Sequence, residues 1–238
     1  MELQGKTAIV TGASSGIGAE FSKALADKGV TVYGLARRKA KLDEVKNVVG
    51  DNFISVELDV TKRKEVDAWV DHTLGSDASV DILVNNAGFG KFGNIDELPV
   101  EDWEGMLNTN LSGIFYLTRR VVPLMKSSPD VCHIVNIASV AGLIGNPQIA
   151  GYNATKFGVR GMSEAMMKEL RPFGIKVSCF YPGSISTEFF SHSGGSTHPN
   201  MMSPADVAKT LIYVLETPDN FLIDEIVMRP LNPKPPEK

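Results

Sequence analysis

Cysteine is scarce in this chain. Its 238 residues contain two, Cys132 and Cys179, each inside a β-branched apolar run. That excludes a disulfide-stapled secreted scaffold and reads as two reduced core thiols. A basic surplus is missing as well. Lys and Arg number 24 against 28 Asp and Glu, a net charge of -4, so nucleic acid is not an expected partner. No apolar run approaches the roughly 20 residues of a membrane span, and no membrane association is expected. Residues Met1–Gly5 lead directly into an apolar strand, with neither a basic segment nor a cleavage signal. A targeting peptide is therefore not expected, and the expected location is cytoplasmic. The four histidines, His72, His133, His192 and His198, lack metal-ligand spacing, so no metal site is expected.

What is present is a regular alternation. Short β-branched runs occur at Thr7–Thr11, Thr31–Ala36, Phe53–Asp59, Asp81–Asn85, His133–Ser139, Ile175–Tyr181 and Ile223–Met228. Several are apolar almost throughout, as parallel strands buried on both faces require. Between them lie segments with helical spacing. Val66, Val70 and Leu74 follow a candidate N-cap at Thr61, and Val207, Leu211, Val214 and Leu215 follow Ser203-Pro204, a cap with proline at the first helical position. Strand–helix alternation of this length predicts an α/β fold: a doubly wound, seven-stranded parallel sheet with helices on both faces, in a single Rossmann-type domain. Strand order 3-2-1-4-5-6-7 is expected, because a nucleotide fingerprint on the first strand puts the switch point there. The domain is expected to span residues 1–229. Residues 230–238 form a proline-rich tail, expected to be extended and poorly ordered.

That fingerprint is the turn after the first strand, Thr11-Gly-Ala-Ser-Ser-Gly-Ile-Gly18. Gly12 permits the tight turn, Gly16 lets backbone approach a pyrophosphate, and Gly18 allows close helix–strand packing, while the helix N-terminus offers unpaired N–H groups. The spacing is G-x3-G-x-G, unlike the commoner G-x-G-x-x-G. Ser14, Ser15 and Ile17 share this cradle. An acidic residue roughly 20 positions on would accept from the adenosine 2′-hydroxyl of NAD. Here the second strand ends in Ala36-Arg37-Arg38 instead. With no carboxylate to repel a 2′-phosphate and guanidinium groups able to bind it, NADP(H) is the expected cofactor.

Tyr152 and Lys156 lie four residues apart on a helical segment, and Ser139 precedes the tyrosine by thirteen. An ammonium on the same helix face as a phenol favours the phenolate, lowering a pKa that is ordinarily about 10 and making tyrosine a usable acid or base. Singly, such pairs are usually packing neighbours. In combination, Thr11–Gly18, Asp59-Val60, Asn85-Asn-Ala-Gly88, Asn110, Ser139, Tyr152-x3-Lys156 and Pro182-Gly183 with Thr187 occur at compatible spacings over nearly the whole chain. In this the sequence resembles the short-chain dehydrogenase/reductase family.

The resemblance implies a role for each position. Tyr152 exchanges a proton with the substrate oxygen, Ser139 holds that oxygen, and Lys156 binds the nicotinamide ribose and keeps the tyrosine pKa low. Asn110 completes the catalytic set by holding a water that links Lys156 to solvent. Asp59 and Val60 meet the adenine, and Asn86, Ala87 and Gly88 line the cofactor. Pro182, Gly183, Ile185 and Thr187 hold the nicotinamide. The family also implies a homotetramer, or a dimer, built on helices near Asp102–Met125 and Tyr152–Arg171.

Substrate contacts are expected from Phe89–Ile95, Ala141–Gly151 and a glycine- and methionine-containing lid at 188–203. The ending Ile223-Asp-Glu-Ile-Val-Met-Arg-Pro230 lacks the Val-Asp-Gly-Gly type of strand found in 3-oxoacyl-carrier-protein reductases. It looks closer to serine-type 3-hydroxy acid dehydrogenases and sepiapterin-reductase-like enzymes. The expected partner is a small carbonyl or alcohol substrate. The carrier-protein reductase and a non-catalytic dinucleotide sensor stand as alternatives.

Overall fold

The computed structural model describes residues 1–75, 79–189 and 197–235. Seven parallel strands form one sheet: β1 Thr7–Thr11, β2 Thr31–Ala36, β3 Phe53–Glu57, β4 Ile82–Asn85, β5 Cys132–Ile137, β6 Ile175–Pro182 and β7 Glu225–Met228. Their order is β3-β2-β1-β4-β5-β6-β7, the expected one. Every residue of β4, β5 and β6 is buried, so their apolar runs show no alternation. β7, at the sheet edge, alternates instead.

Helices cover both faces. On one, α1 (Gly16–Asp27), α2 (Lys39–Val49) and α7 (Pro204–Leu215) pack Phe21, Leu25, Leu42, Val207 and Leu211 against the sheet. On the other, α3 (Arg63–Trp69), α5 (Gly113–Lys126) and α6 (Ala150–Leu170) contribute Val66, Leu117, Val121 and Leu170. Ser203 caps α7 as expected, its hydroxyl accepting from the Ala205 N–H at 3.2 Å. Thr61 does not cap α3. Asp59 takes up both its N–H and its hydroxyl, at 2.9 and 2.8 Å, and the helix begins two residues later.

The predicted helix over Asp102–Met125 is divided. α4 (Val100–Leu107) and α5 flank a wider turn at Asn108–Ser112, where the Gly113 N–H reaches back five residues to the Asn108 carbonyl. Such wide turns concentrate at functional sites. Asn110 lies at its centre, fully buried. Residues 229–235 are irregular and, apart from half-buried Pro230, exposed; Asn200 donates to the Lys234 carbonyl at 2.7 Å.

The order of the sheet brings the ends of β1 and β4 side by side, with β2 and β3 on one flank and β5 on the other. A crevice opens at that switch point beyond the carboxyl ends of the strands, and ligands bind there in doubly wound folds.

At the opposite end of the sheet, His133 is fully buried on β5, with Nε2 2.8 Å from the Ser178 hydroxyl and Nδ1 unpartnered. Burial, reinforced by the charges of Lys176 and the N-terminal ammonium, holds its pKa down to about 3. The unfolded chain takes up a proton near pH 6.5 that the folded protein refuses, so stability falls as pH drops below that value. From pH 7 to pH 5 this residue alone should remove about 2 kcal/mol. Urea unfolding at both pH values, compared with His133→Gln, checks this: the variant should lose that part of the difference.

Candidate active site

Thr11 organises the mouth of the crevice. Its hydroxyl accepts from the backbone N–H groups of Asn86 and Ala87, both at 2.9 Å, while Asn86 Nδ2 donates to the Thr11 carbonyl at 2.9 Å. The segment after β4 is thereby fixed against the glycine turn. Close approach is built in. A Cβ on Gly18 would lie 2.3 Å from the Gly12 carbonyl oxygen, and Gly12 itself has φ +68°. Thr11 was visible in the sequence only as a strand end, because its role depends on a partner 75 residues away.

α1 starts at Gly16 after Ser15, whose side chain makes no capping bond, and its first turn carries no acidic residue. These free N–H groups at a helix N-terminus suit a phosphate. Beside them, Arg38 donates to Ser15 Oγ at 2.7 Å and Ser14 Oγ at 3.3 Å. Arg37 is exposed and makes no side-chain hydrogen bond or ion pair among the described residues. Of the two candidate arginines, the fold therefore joins Arg38 to the glycine turn. Val60 is buried against Gly113, and Asp59 turns its carboxylate onto Thr61. Thr187 reaches the turn from the other side, its methyl group 3.4 Å from the Cβ position of Gly16. The Gly183 N–H is held by the Met228 carbonyl, and Ile185 pairs with Met202. A cradle too tight for side chains, an uncapped helix start and an arginine–serine cluster fit a phosphorylated dinucleotide.

Arg38 has one more contact, an ion pair with Glu188 at 3.4 Å. An anion arriving at Arg38 has to compete with that carboxylate. Removing it by Glu188→Gln should tighten NADPH binding about two- to fivefold, the range for a half-exposed pair, and leave NADH unchanged. Fluorescence titration of both cofactors checks this.

The second cluster lies at the end of β5 and on α6. Ser139 follows β5 by two residues, in extended conformation, and caps the short turn Val140–Gly142. Its Oγ accepts from the Ala141 N–H at 3.1 Å and donates to the Pro182 carbonyl at 3.4 Å. Tyr152 and Lys156, one turn apart on α6, are buried, and Lys156 Nζ donates to the Ile137 carbonyl at 2.8 Å. The ammonium stands 5.7 Å from the centre of the Tyr152 ring. Burial pushes the Tyr152 phenol up to about 12, opposed by a hydrogen bond with Ser139. Burial also brings Lys156 down to about 8. Desolvation is the larger cause of both shifts, and the Lys156 ammonium is not among the causes of the tyrosine's.

Asn110 contacts the protein through its whole amide. Nδ2 donates to the Phe89 carbonyl at 2.9 Å and to Thr155 Oγ1 at 3.0 Å, and Oδ1 accepts from the Phe89 N–H at 3.0 Å. It thus holds the Asn86–Phe89 segment beside Lys156, whose Nζ is 3.6 Å from the Cβ position of Gly88.

Two further residues shape the site without having been singled out. Asn153 Nδ2 donates to the Ala141 and Ile144 carbonyls at 2.6 and 2.9 Å, fixing the loop before α6. Gln148, with φ +65°, accepts the Gly93 N–H at 2.7 Å and so joins two walls of the expected substrate cleft. No sequence signal marked Gln148, since glutamine has no preference for this backbone region. The expected lid lies partly outside the described residues: 190–196 are not described, and His192 is among them. Among the described residues no group of metal-ligating side chains is found.

The model of the short chain dehydrogenase family matches residues 6–195. The chain is a short-chain dehydrogenase. Curated relatives agree. An uncharacterized oxidoreductase of Staphylococcus saprophyticus is 35% identical over 97% of this chain and 100% of its own length. One of Staphylococcus haemolyticus is 36% identical over 97% and 99%. Among solved structures, the closed form of serine dehydrogenase complexed with NADP+ superposes with a TM-score of 0.86 at 30% identity, covering 93% of this chain and 94% of that one. The 3-ketoacyl-(acyl-carrier-protein) reductase of Brucella melitensis complexed with NADH gives 0.85 at 31%, covering 96% and 98%. This short-chain dehydrogenase is accordingly an oxidoreductase with the seven-stranded fold of its relatives. No helix among its described residues is long and apolar enough to cross a membrane.

Proposed function

We propose that the protein is an NADP(H)-dependent carbonyl reductase, or alcohol dehydrogenase in the reverse direction, with Tyr152 as proton donor. The observation that carries this reading is the convergence of half-buried Ser139 on buried Tyr152 and Lys156, in a fold whose Arg38 meets Ser14 and Ser15 on the glycine turn. The glycine turn, α1 and Thr187 would hold the dinucleotide, and Asn86–Gly88 would line it. When bound, the reduced nicotinamide supplies a hydride to the carbonyl carbon.

The protein's own groups do the rest. Ser139 Oγ, whose bond to the Pro182 carbonyl is long at 3.4 Å, would turn its one proton to the carbonyl oxygen, where negative charge develops. A phenol with a pKa pushed up to about 12 is fully protonated at neutral pH, the form that reduction consumes. Lys156 would meet the ribose hydroxyls and offset the charge left on the phenolate. With its amide spent on Phe89 and Thr155, Asn110 is a positioning residue.

The structural likeness to a carrier-protein reductase favours one second reading, a β-ketoacyl thioester substrate. Absorbance of the reduced nicotinamide, followed with NADPH and NADH over a panel of ketones, a 3-keto acid and an acyl thioester, tests both. Turnover with NADPH supports the reading, and cofactor binding with no turnover on any member sinks it in favour of a sensor.

Cytoplasmic action as a homotetramer belongs to the same proposal. Phe115 on α5 and Phe157 on α6 are each about half exposed, as are Tyr213 and Val227 beside the sheet edge. Two separate apolar faces suit two interfaces. Light scattering at working concentration distinguishes a tetramer from a dimer.

A further inference from the structure

Two aromatic rings meet each other and the reacting phenol. Phe92 packs against Tyr152 edge-on, with centroids 5.9 Å apart and planes at 61°. Phe189 lies 5.7 Å from Tyr152 at 49°, and Phe92 and Phe189 are 6.5 Å apart. Phe92 comes from the segment after β4 and Phe189 from that after β6, so the two rings approach from different walls. Gly90 is what lets all three meet. A Cβ there would lie 2.9 Å from Phe189 Cζ, 2.9 Å from Phe92 Cε1 and 3.2 Å from Tyr152 Cδ2. Behind the rings, Met106, Ala141, Leu98 and Ile149 continue the apolar lining. At the mouth, Phe92, Ile95 and Ile144 expose large apolar surface from two different loops.

Charge is almost missing from these walls. Segments 89–95 and 141–151 contain one charged residue between them, Lys91, which is exposed. On the third wall, Glu188 is paired with Arg38. A substrate with its own carboxylate close to the carbonyl would have to bury that charge against phenyl rings without a fixed cation, which is costly. A flat apolar group meets no such cost and exchanges one ring–ring contact for another.

Resting on the reductase reading, we propose that the substrate is a ketone with an aryl or conjugated group next to the carbonyl, packed against Phe92 and Phe189 with its oxygen at Tyr152 and Ser139. In the reaction the carbonyl π bond breaks. The carbon gains hydride from NADPH and the oxygen gains the Tyr152 proton, which solvent replaces. Ketone, NADPH and a proton become secondary alcohol and NADP+.

The test compares a phenyl alkyl ketone, an aliphatic ketone of equal carbon number, a 3-keto acid and a β-ketoacyl thioester under NADPH, for the native enzyme, Phe92→Ala, Phe92→Leu and Lys91→Ala. The phenyl ketone should lead in kcat/KM. Phe92→Ala should raise its KM roughly tenfold with kcat within about threefold, and Phe92→Leu should recover only part of the loss. Lys91→Ala should change nothing. Phe92 is partly exposed, so neither substitution threatens folding.

A second readout does not need turnover. Calorimetry of 1-phenylethanol binding to Tyr152→Phe loaded with NADP+ should detect binding that the added Phe92→Ala change weakens about tenfold. Preference for the 3-keto acid or thioester, with its KM raised by Lys91→Ala, overturns the aryl assignment and leaves the reductase standing. Aryl alcohol binding without turnover of any carbonyl keeps the pocket and overturns the reductase. Absence of aryl alcohol binding overturns the proposal whatever the turnover.

Discussion

Tyr152→Phe is expected to lower kcat for ketone reduction roughly 10²- to 10⁴-fold, the span of a positioned general acid, while NADPH affinity stays within about twofold. The ring of phenylalanine fills the same place between Phe92 and Phe189, so the loss reports the hydroxyl and not the packing. The pH dependence follows from the buried environment. Reduction uses the protonated phenol, which burial preserves well above neutrality. Oxidation needs the phenolate, so its rate should rise with pH, and the residual rate of Tyr152→Phe should lack that rise. Lys156, brought down to about 8, loses its charge above that pH and with it the ability to offset a phenolate. Reductive turnover should then decline. A native pH profile in Tyr152→Phe would place the acid elsewhere.

The second large effect is expected at the cofactor end. Arg38→Asp should weaken NADPH roughly 10- to 100-fold, since charge-assisted hydrogen bonds are each worth about 1.5–3 kcal/mol and the new carboxylate repels the 2′-phosphate. NADH, with a hydroxyl there, should be held as before or slightly better, moving the preference ratio by the full amount. Arg37→Asp serves as the comparison. Exposed and without a side-chain partner among the described residues, Arg37 should change the ratio less than Arg38. Equal effects would mean that both guanidinium groups reach the phosphate. No effect from either would remove the NADP(H) assignment. Paired titrations with the two cofactors read all three outcomes.

These two predictions rest on different parts of the inference. Arg38 was one of two adjacent arginines in the sequence, and nothing local ranks them. The fold does, because only one side chain turns toward the glycine loop and its serines. Tyr152 and Lys156 were legible from helical spacing, which sets the distance between neighbours one turn apart whatever surrounds them. Their acidities were not legible. Those depend on how much water the rest of the chain excludes, and the burial that keeps the phenol protonated is assembled from α4, α6 and three loops. Asn110 was legible as a position but not in its bonds, because its partners Phe89 and Thr155 come from other parts of the chain.

By itself the sequence determined whatever is written in short periods: seven strands from apolar runs, helices from their spacing, the glycine turn and its phosphate-binding character, and the Tyr–Lys pair. Local sterics and burial patterning act over a few residues and survive any arrangement of the rest. Only the tertiary structure decided which arginine meets the turn, that Glu188 stands against it, that Thr11 fixes Asn86 and Ala87, and that Phe92 and Phe189 close over Tyr152. Each of these joins residues far apart in the chain, and their contacts exist only once the sheet has brought the ends of β1, β2, β4, β5 and β6 together.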